Sequence, residues 1–223
     1  NEMITSEDSA QTLRLLSSHI SRSNAQFLEF VNDTYFQVTD GFVSEDLGKL
    51  QKAVTGLRRE RMELKQTRRK EMLGLRRIDP DVAIEKNTWF HLGINSCEDM
   101  LYSLRRICDP CEEHIDNSFV PLDKERVKEF LPLRDTLLYL LKRVCGVISS
   151  GDFTDVQKLN EQCDAFKHCL SQTRDEQMAR MQAGRENITV SYVYLNILQE
   201  TQEMASSLKH MLRAARHFSE GRA

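Results

Sequence analysis

Apolar residues recur every three or four positions through six stretches of the chain, a spacing that lines them up along one side of an α-helix. The first stretch runs from about Ser9 to Asp40 and carries Leu13, Leu16, Ile20, Phe27, Phe30, Thr34 and Val38 on its seam. The second starts after Ser44, with Leu47, Leu50, Val54, Leu57 and Leu64 in register. The third follows Asp79-Pro80, which reads as a cap residue before a first-turn proline, and its seam is Phe90, Gly93, Cys97, Met100, Leu104, Ile107 and Cys111. Phe119-Val120-Pro121 breaks the pattern. The fourth stretch then carries Val127, Phe130, Leu137, Leu141, Val144 and Ile148, with Pro132 expected to kink its first turns or delay its start. The fifth opens on Thr154-Asp155-Val156-Gln157, which has the form of a capping box, and continues through Leu159, Cys163, Phe166 and Leu170. The sixth follows Asn187 and runs from Tyr194 to Phe218.

These six segments repeat as a set of three. A shift of 109 residues carries the second seam onto the fifth, Leu47 to Val156, Leu50 to Leu159, Val54 to Cys163 and Leu57 to Phe166. The preceding loops agree, Gly41-Phe42-Val43-Ser44 against Gly151-Asp152-Phe153-Thr154, and Gly74 and Gly184 are expected to end the two hairpins. A shift of 104 carries Phe90 to Tyr194, Met100 to Met204 and Leu104 to Leu208. The expected fold is all-α, two tandem three-helix bundles over residues 1–120 and 121–223. At 1.5 Å per residue each helix would be about 45 Å long. Pro121 and Asn117-Ser118 interrupt the path along which one unit could continue into the next, so the bundles are expected side by side rather than end to end. Leu137-Leu138-Tyr139-Leu140-Leu141 is apolar all round, which suits a helix buried between units.

Composition narrows the functional classes. Only nine Gly and four Pro occur in 223 residues, too few for a mostly β chain. Thirty-one Lys and Arg against 34 Asp and Glu give a net charge of −3, which argues against a nucleic-acid partner. The longest apolar run has five residues, Leu137 to Leu141, far short of the ~20 that span a bilayer. No secretory leader precedes the first helix, and the start at Asn1 suggests a segment of a longer chain. The six Cys all fall in helical patterns and read as reduced core thiols, which points to the cytoplasm.

The search for reactive chemistry is mostly negative, and no catalytic residue is assigned. Neither a glycine-rich phosphate loop nor a nucleophile elbow is present. Cys108-Asp109-Pro110-Cys111 has metal spacing but lacks the second pair that zinc usually requires. Two features remain. Between Arg58 and Arg77 lie nine basic residues, Arg58, Arg59, Arg61, Lys65, Arg68, Arg69, Lys70, Arg76 and Arg77, against three Glu. They form a candidate basic face toward anionic lipid or a partner. Arg61 and Arg68 fall on the seam itself and would pair with a buried carboxylate, Asp99 being one candidate. The second feature is a pair of polar i, i+4 positions, Asn95 with Asp99 and Gln199 with Glu203, related by the same shift of 104.

This arrangement resembles the PhoU family of bacterial phosphate-uptake regulators. The family motif on the third helix of each repeat is Glu, three residues, then Asp; here Asn95 to Leu104 supplies Asp99 and Gln199 to Leu208 supplies Glu203. The resemblance implies a metal platform at Asn95, Asp99, Gln199 and Glu203. The family Glu, however, is an amide in both halves, and a divalent metal or iron is the only cofactor to consider.

Arg68-Arg69-Lys70-Glu71 through Pro80, Glu85 through Gly93, and Cys108 through Pro121 also look like the region that follows the membrane part of Bacteroides-type inorganic phosphate transporters. That resemblance implies a non-enzymatic regulatory domain at the cytoplasmic face of the bacterial inner membrane. Its expected partners are the transmembrane part of the same permease, an anionic lipid surface and a second copy as a homodimer. The competing reading is a structural helical-bundle module for dimerisation or scaffolding, without ligand.

Overall fold

The computed structural model describes residues 6–78 and 80–220, and within them every regular element is an α-helix: α1 Ser6–Val43, α2 Leu47–Leu75, α3 Pro80–Asp116, α4 Lys124–Ser150, α5 Val156–Gln182 and α6 Ile188–Glu220. Local chemistry sets several of the ends. Asp46 and Asp123 lie in extended backbone before α2 and α4, and their carboxylates accept from the amides of Lys49 (3.1 Å) and Arg126 (2.7 Å). Asn187 does the same for α6 through the amide of Val190 at 3.2 Å. Gly151 and Gly184 take the left-handed conformation (φ 71° and 74°) that terminates a helix at little steric cost.

Some expected boundaries move. Gly74 does not end α2; it lies within the last turn, where an added Cβ would come 3.3 Å from the Leu16 side chain, so its role is to admit α1. The capping box at the start of α5 does not form. The Thr154 amide and hydroxyl both donate to Asp152, and Asp155, the N-cap residue, makes no side-chain cap bond. Pro132 neither delays nor breaks α4, which begins at Lys124 and runs through it. The Asp79 cap and Asn1 lie outside the described residues.

Consecutive helices are antiparallel, and the two triplets lie flank to flank. The α1 helix packs along α4, where Asn32 Nδ2 donates to the Leu138 carbonyl at 2.9 Å. Further along the same pair, Cys145 Sγ lies 3.4 Å from the Ala25 carbonyl. The α3 helix packs along α6, with Gly93 facing Ala214, Trp89 stacked on His217 (ring centroids 4.3 Å apart) and Asn196 Nδ2 donating to the Arg106 carbonyl at 2.7 Å. Each triplet thus meets the other through the same pair of helices, and all six contribute to one apolar core. Tyr35 of α1 and Thr201 of α6, both fully buried, share a 2.8 Å hydrogen bond inside it. Full burial of a Leu, Ile, Val or Phe contributes about 1.5–3 kcal/mol, so this shared core dominates stability. A smaller cluster of Ile20, Leu75, Ile78, Phe90 and Phe218 closes one end.

Two sequence expectations about the core change. The run Leu137–Leu141 is not buried all round: Leu137, Leu140 and Leu141 are, but Tyr139 is 52% exposed, because α4 touches neighbours on only part of its circumference. Of the six thiols, Cys97, Cys108, Cys111 and Cys163 are buried, while Cys145 is half-buried and Cys169 is exposed.

Candidate functional site, a basic groove between α2 and α3

A concavity of about 870 Å³ lies between α2 and α3. Its floor is apolar, formed by Leu57, Leu64 and Leu101. Arg58, Arg61 and Lys65 rise from the α2 side, and Glu98, Asp99, Tyr102 and Arg105 from the α3 side. Helical periodicity produces both rims: positions 58, 61 and 65 share one face of α2, and 98, 102, 105 and 109 share one face of α3. Two large apolar side chains stay in water at the rim, Met62 (65% exposed) and Tyr102 (58%). The Arg106 guanidinium lies over the Tyr102 ring at 4.4 Å.

Among the described residues, the side chains of Arg58, Arg61, Lys65, Glu98 and Asp99 form no hydrogen bond or ion pair, while Arg105 is tied back to Asp109 on its own helix at 3.3 Å. The corresponding interface between α5 and α6 is bridged by side chains. There Arg174 donates to Gln202 at 3.1 Å, Gln202 Nε2 donates to the Lys167 carbonyl at 3.2 Å, and Lys209 meets Asp164 at 2.6 Å. Leu170 stands where the first half has Arg61. One half of the molecule therefore presents a groove with four cations and three carboxylates along it, and the other ties the equivalent positions together across the two helices.

The structure sorts the expected basic face into three groups. Arg58, Arg61 and Lys65 line the groove; Arg59, Arg69, Lys70, Arg76 and Arg77 are exposed elsewhere on α2 and its exit. Arg68 does not belong to the face at all, being only 5% exposed. It also does not pair with Asp99. Its Nη1 donates to Glu71 at 2.7 Å, its Nη2 donates to Asn24, and Cys97 Sγ lies 3.6 Å away. A carboxylate one turn along the same helix was the nearer partner. Arg61, one heptad earlier on the same seam, is exposed because α3 is separated from it by the groove.

Asp99 is brought to the groove, among cations; its i−4 neighbour Asn95 is exposed on α3. In the second half, Gln199 donates to Glu203 at 3.1 Å on the α6 surface. Hard divalent cations want about six or more oxygen ligands, usually with several carboxylates. Among the described residues no group of three or more His, Cys, Asp or Glu could hold a metal ion. Asp99 shares the groove with Glu98 and Asp109 but also with four cations, Arg58, Arg61, Lys65 and Arg105, which oppose a bound cation, and the residues present do not fit a metal platform. Cys108, Cys111 and His114 are likewise committed to the core. Burial pushes the Cys108 thiol up to about 12 and raises Cys111 well above the ordinary thiol range, while His114 bonds the Val120 carbonyl at 2.7 Å.

No family model matches the chain, nor does any curated protein. Solved structures do. The phosphate transport system regulatory protein PhoU from Streptococcus pneumoniae superposes with a TM-score of 0.69 at 12% identity, covering 94% of this chain and 97% of its own. The fold is that of PhoU. PhoU from Pseudomonas aeruginosa gives a TM-score of 0.73 at 9% identity, covering 92% of this chain and 98% of that one. At such identity the match establishes the PhoU architecture and leaves function to be argued from the site.

Met62, Tyr102 and Arg105 carry little mark in the sequence beyond their spacing. Periodicity on the outer side of α3, taken together with the basic face of α2, was the signal that could have placed them in one groove. The open state of that groove follows from missing cross-helix partners, which a single sequence does not display.

Proposed function

We propose that this chain is a non-catalytic regulatory module of inorganic phosphate transport at the cytoplasmic face of a bacterial inner membrane, built from a repeat at 1–120 and a repeat at 121–223. The open groove between α2 and α3 carries the reading, because four cations line an apolar-floored channel whose counterpart in the second repeat is bridged by side chains. The groove takes an acidic, amphipathic segment of the permease: carboxylates to Arg58, Arg61 and Lys65, apolar side chains to Met62, Tyr102 and the leucine floor. The permease is of the inorganic phosphate transporter type, with its transmembrane part on the same polypeptide. Regulation requires that the groove bind two states of the transporter unequally.

Phosphate uptake by the permease carrying this module, compared with its Arg58→Glu/Arg61→Glu variant, tests the proposal. Both positions are exposed, so folding should be little affected. Uptake that responds differently to external phosphate in the variant supports the reading; identical uptake curves overturn it. Vesicles with and without anionic lipid form a separate arm. Charge-reversal-sensitive binding to anionic vesicles alone would replace the peptide partner by the membrane surface. A stoichiometric dimer with unchanged uptake would favour a scaffold.

A further inference from the structure

A second cavity, about 320 Å³, lies at one end of the bundle, where the early turns of α1 and α3 meet the last turns of α6 and the α4–α5 connection. It has no lining residue in common with the groove, and its lining combines two chemistries. Arg14, Arg68 and Lys86 reach it as cations, with Ser17, Ser21 and Asn24 beside them. Phe90, Phe153 and Phe218 supply much of the remaining wall, with Trp89 at its edge. Among the described residues no Asp or Glu lines it, although acidic residues outnumber basic ones in the chain, 34 to 31.

Two of the cations are held in ways that leave capacity for an anion. Arg68 spends its terminal nitrogens on Glu71, Asn24 and Cys97, yet its buried Nε–H has no acceptor among the described residues. Lys86 caps the end of α6 by donating to the Phe218 carbonyl and stands 5.0 Å from the centre of the Phe218 ring. Burial lowers its pKa, Glu85 opposing in part; the ammonium is partly desolvated, and among the described residues no carboxylate is bonded to it. Arg14 is exposed at the mouth, and the Arg68–Glu71 pair leaves Arg14 and Lys86 as net positive charge.

We infer that this cavity is a binding site for a small organic phosphomonoester, its anionic head between Arg14, Lys86 and the α1 serines and its apolar body against the phenylalanine wall. Inorganic phosphate could use the first set but not the second, and the cavity volume falls in the range of small-molecule sites, roughly 300–1,000 Å³. The site does not depend on the groove or on the transport reading.

Trp89 is the sole tryptophan and reports directly. The full chain is titrated with AMP (an aromatic body), dihexanoyl phosphatidic acid (an aliphatic body), inorganic phosphate and adenosine, reading Trp89 fluorescence and heat. One or both organic phosphates should bind, with inorganic phosphate and adenosine each weaker by about tenfold or more, and Lys86→Gln and Ser21→Glu each weakening binding by about tenfold or more. Arg14→Gln, at an exposed position, carries the same expectation if Ser21→Glu lowers the melting temperature. The inference is overturned if neither organic phosphate binds at millimolar concentration. It is equally overturned if inorganic phosphate or adenosine binds as well as they do, or if the folded variants bind like the parent.

Discussion

Glu71 and Arg180 stand 109 residues apart at matching turns of α2 and α5 and carry opposite charges. Each bonds the residue one turn back, Glu71 accepting from Arg68 at 2.7 Å and Arg180 donating to Gln177 at 2.6 Å. Each also reaches the first helix of its own triplet: His19 lies 3.6 Å from Glu71, and Glu129 lies 3.0 Å from Arg180. The polar plug between the first two helices has been kept in both repeats while its sign was reversed.

Removing one partner of the first plug should be costly, because it strands a buried charge. Glu71→Ala is expected to lower stability by about 3–5 kcal/mol. The double variant Arg68→Met/Glu71→Leu should recover most of that loss, since an apolar pair avoids desolvation altogether. Urea denaturation of the three proteins checks this; a double variant as unstable as the single one would contradict it.

Tyr35 and Thr201 provide a second test, across the two triplets. Thr201→Val leaves the Tyr35 hydroxyl buried without a partner, at a cost of about 1–3 kcal/mol. Tyr35→Phe introduced with Thr201→Val should be closer to the parent than Thr201→Val alone. A double-mutant cycle with no coupling would mean that the 2.8 Å contact adds nothing.

The repeats should not fold separately as monomers. Met100, Leu104 and Ile107 of α3, and Ile197, Met204 and Leu208 of α6, are buried in a core that all six helices share. Fragment 1–120 alone is expected to associate or to lose fixed tertiary structure, detectable by sedimentation and near-ultraviolet circular dichroism. A monomeric fragment with a cooperative melt would overturn this expectation.

Thiol chemistry should separate one cysteine from four. Cys169 should react readily with a thiol reagent at pH 8, while Cys97, Cys108, Cys111 and Cys163 stay protected until the chain unfolds. Burial raises Cys163 to about 11 and Cys108 to about 12, against about 8.5 for a free thiol. The unfolded chain therefore loses these protons first. Their contribution to stability is complete below about pH 8.5 and disappears as pH rises through 11 to 12. Urea midpoints at pH 7.5 and 10.5 should fall in that order, and less steeply for Cys108→Ala.

The helix count, the seams and the flank-to-flank arrangement were legible because they follow from period, proline placement and the repeat. Arg68 was marked by its seam position, and it is indeed buried. Its partner was not legible: Asp99 on the neighbouring helix and Glu71 on the same one are equally acidic in a sequence, and only distance separates them. Tyr139 and Leu140 are adjacent and both apolar, yet one faces water and the other the core, a difference set by where α4 meets its neighbours. The bundle-end cavity draws on α1, α2, α3, α6 and the α4–α5 connection, so no single stretch announces it.

The meeting of α1 with α4 and of α3 with α6 has a consequence for how this molecule can change. It is the contact that two identical three-helix chains would make about a twofold axis. Covalent linkage frees the copies from remaining identical. A substitution in a true pair would alter both surfaces at once; in the joined chain, one copy can keep unpaired charges along its channel while the other ties the equivalent positions together. The asymmetry between the copies then leaves the two long faces of one molecule chemically unlike.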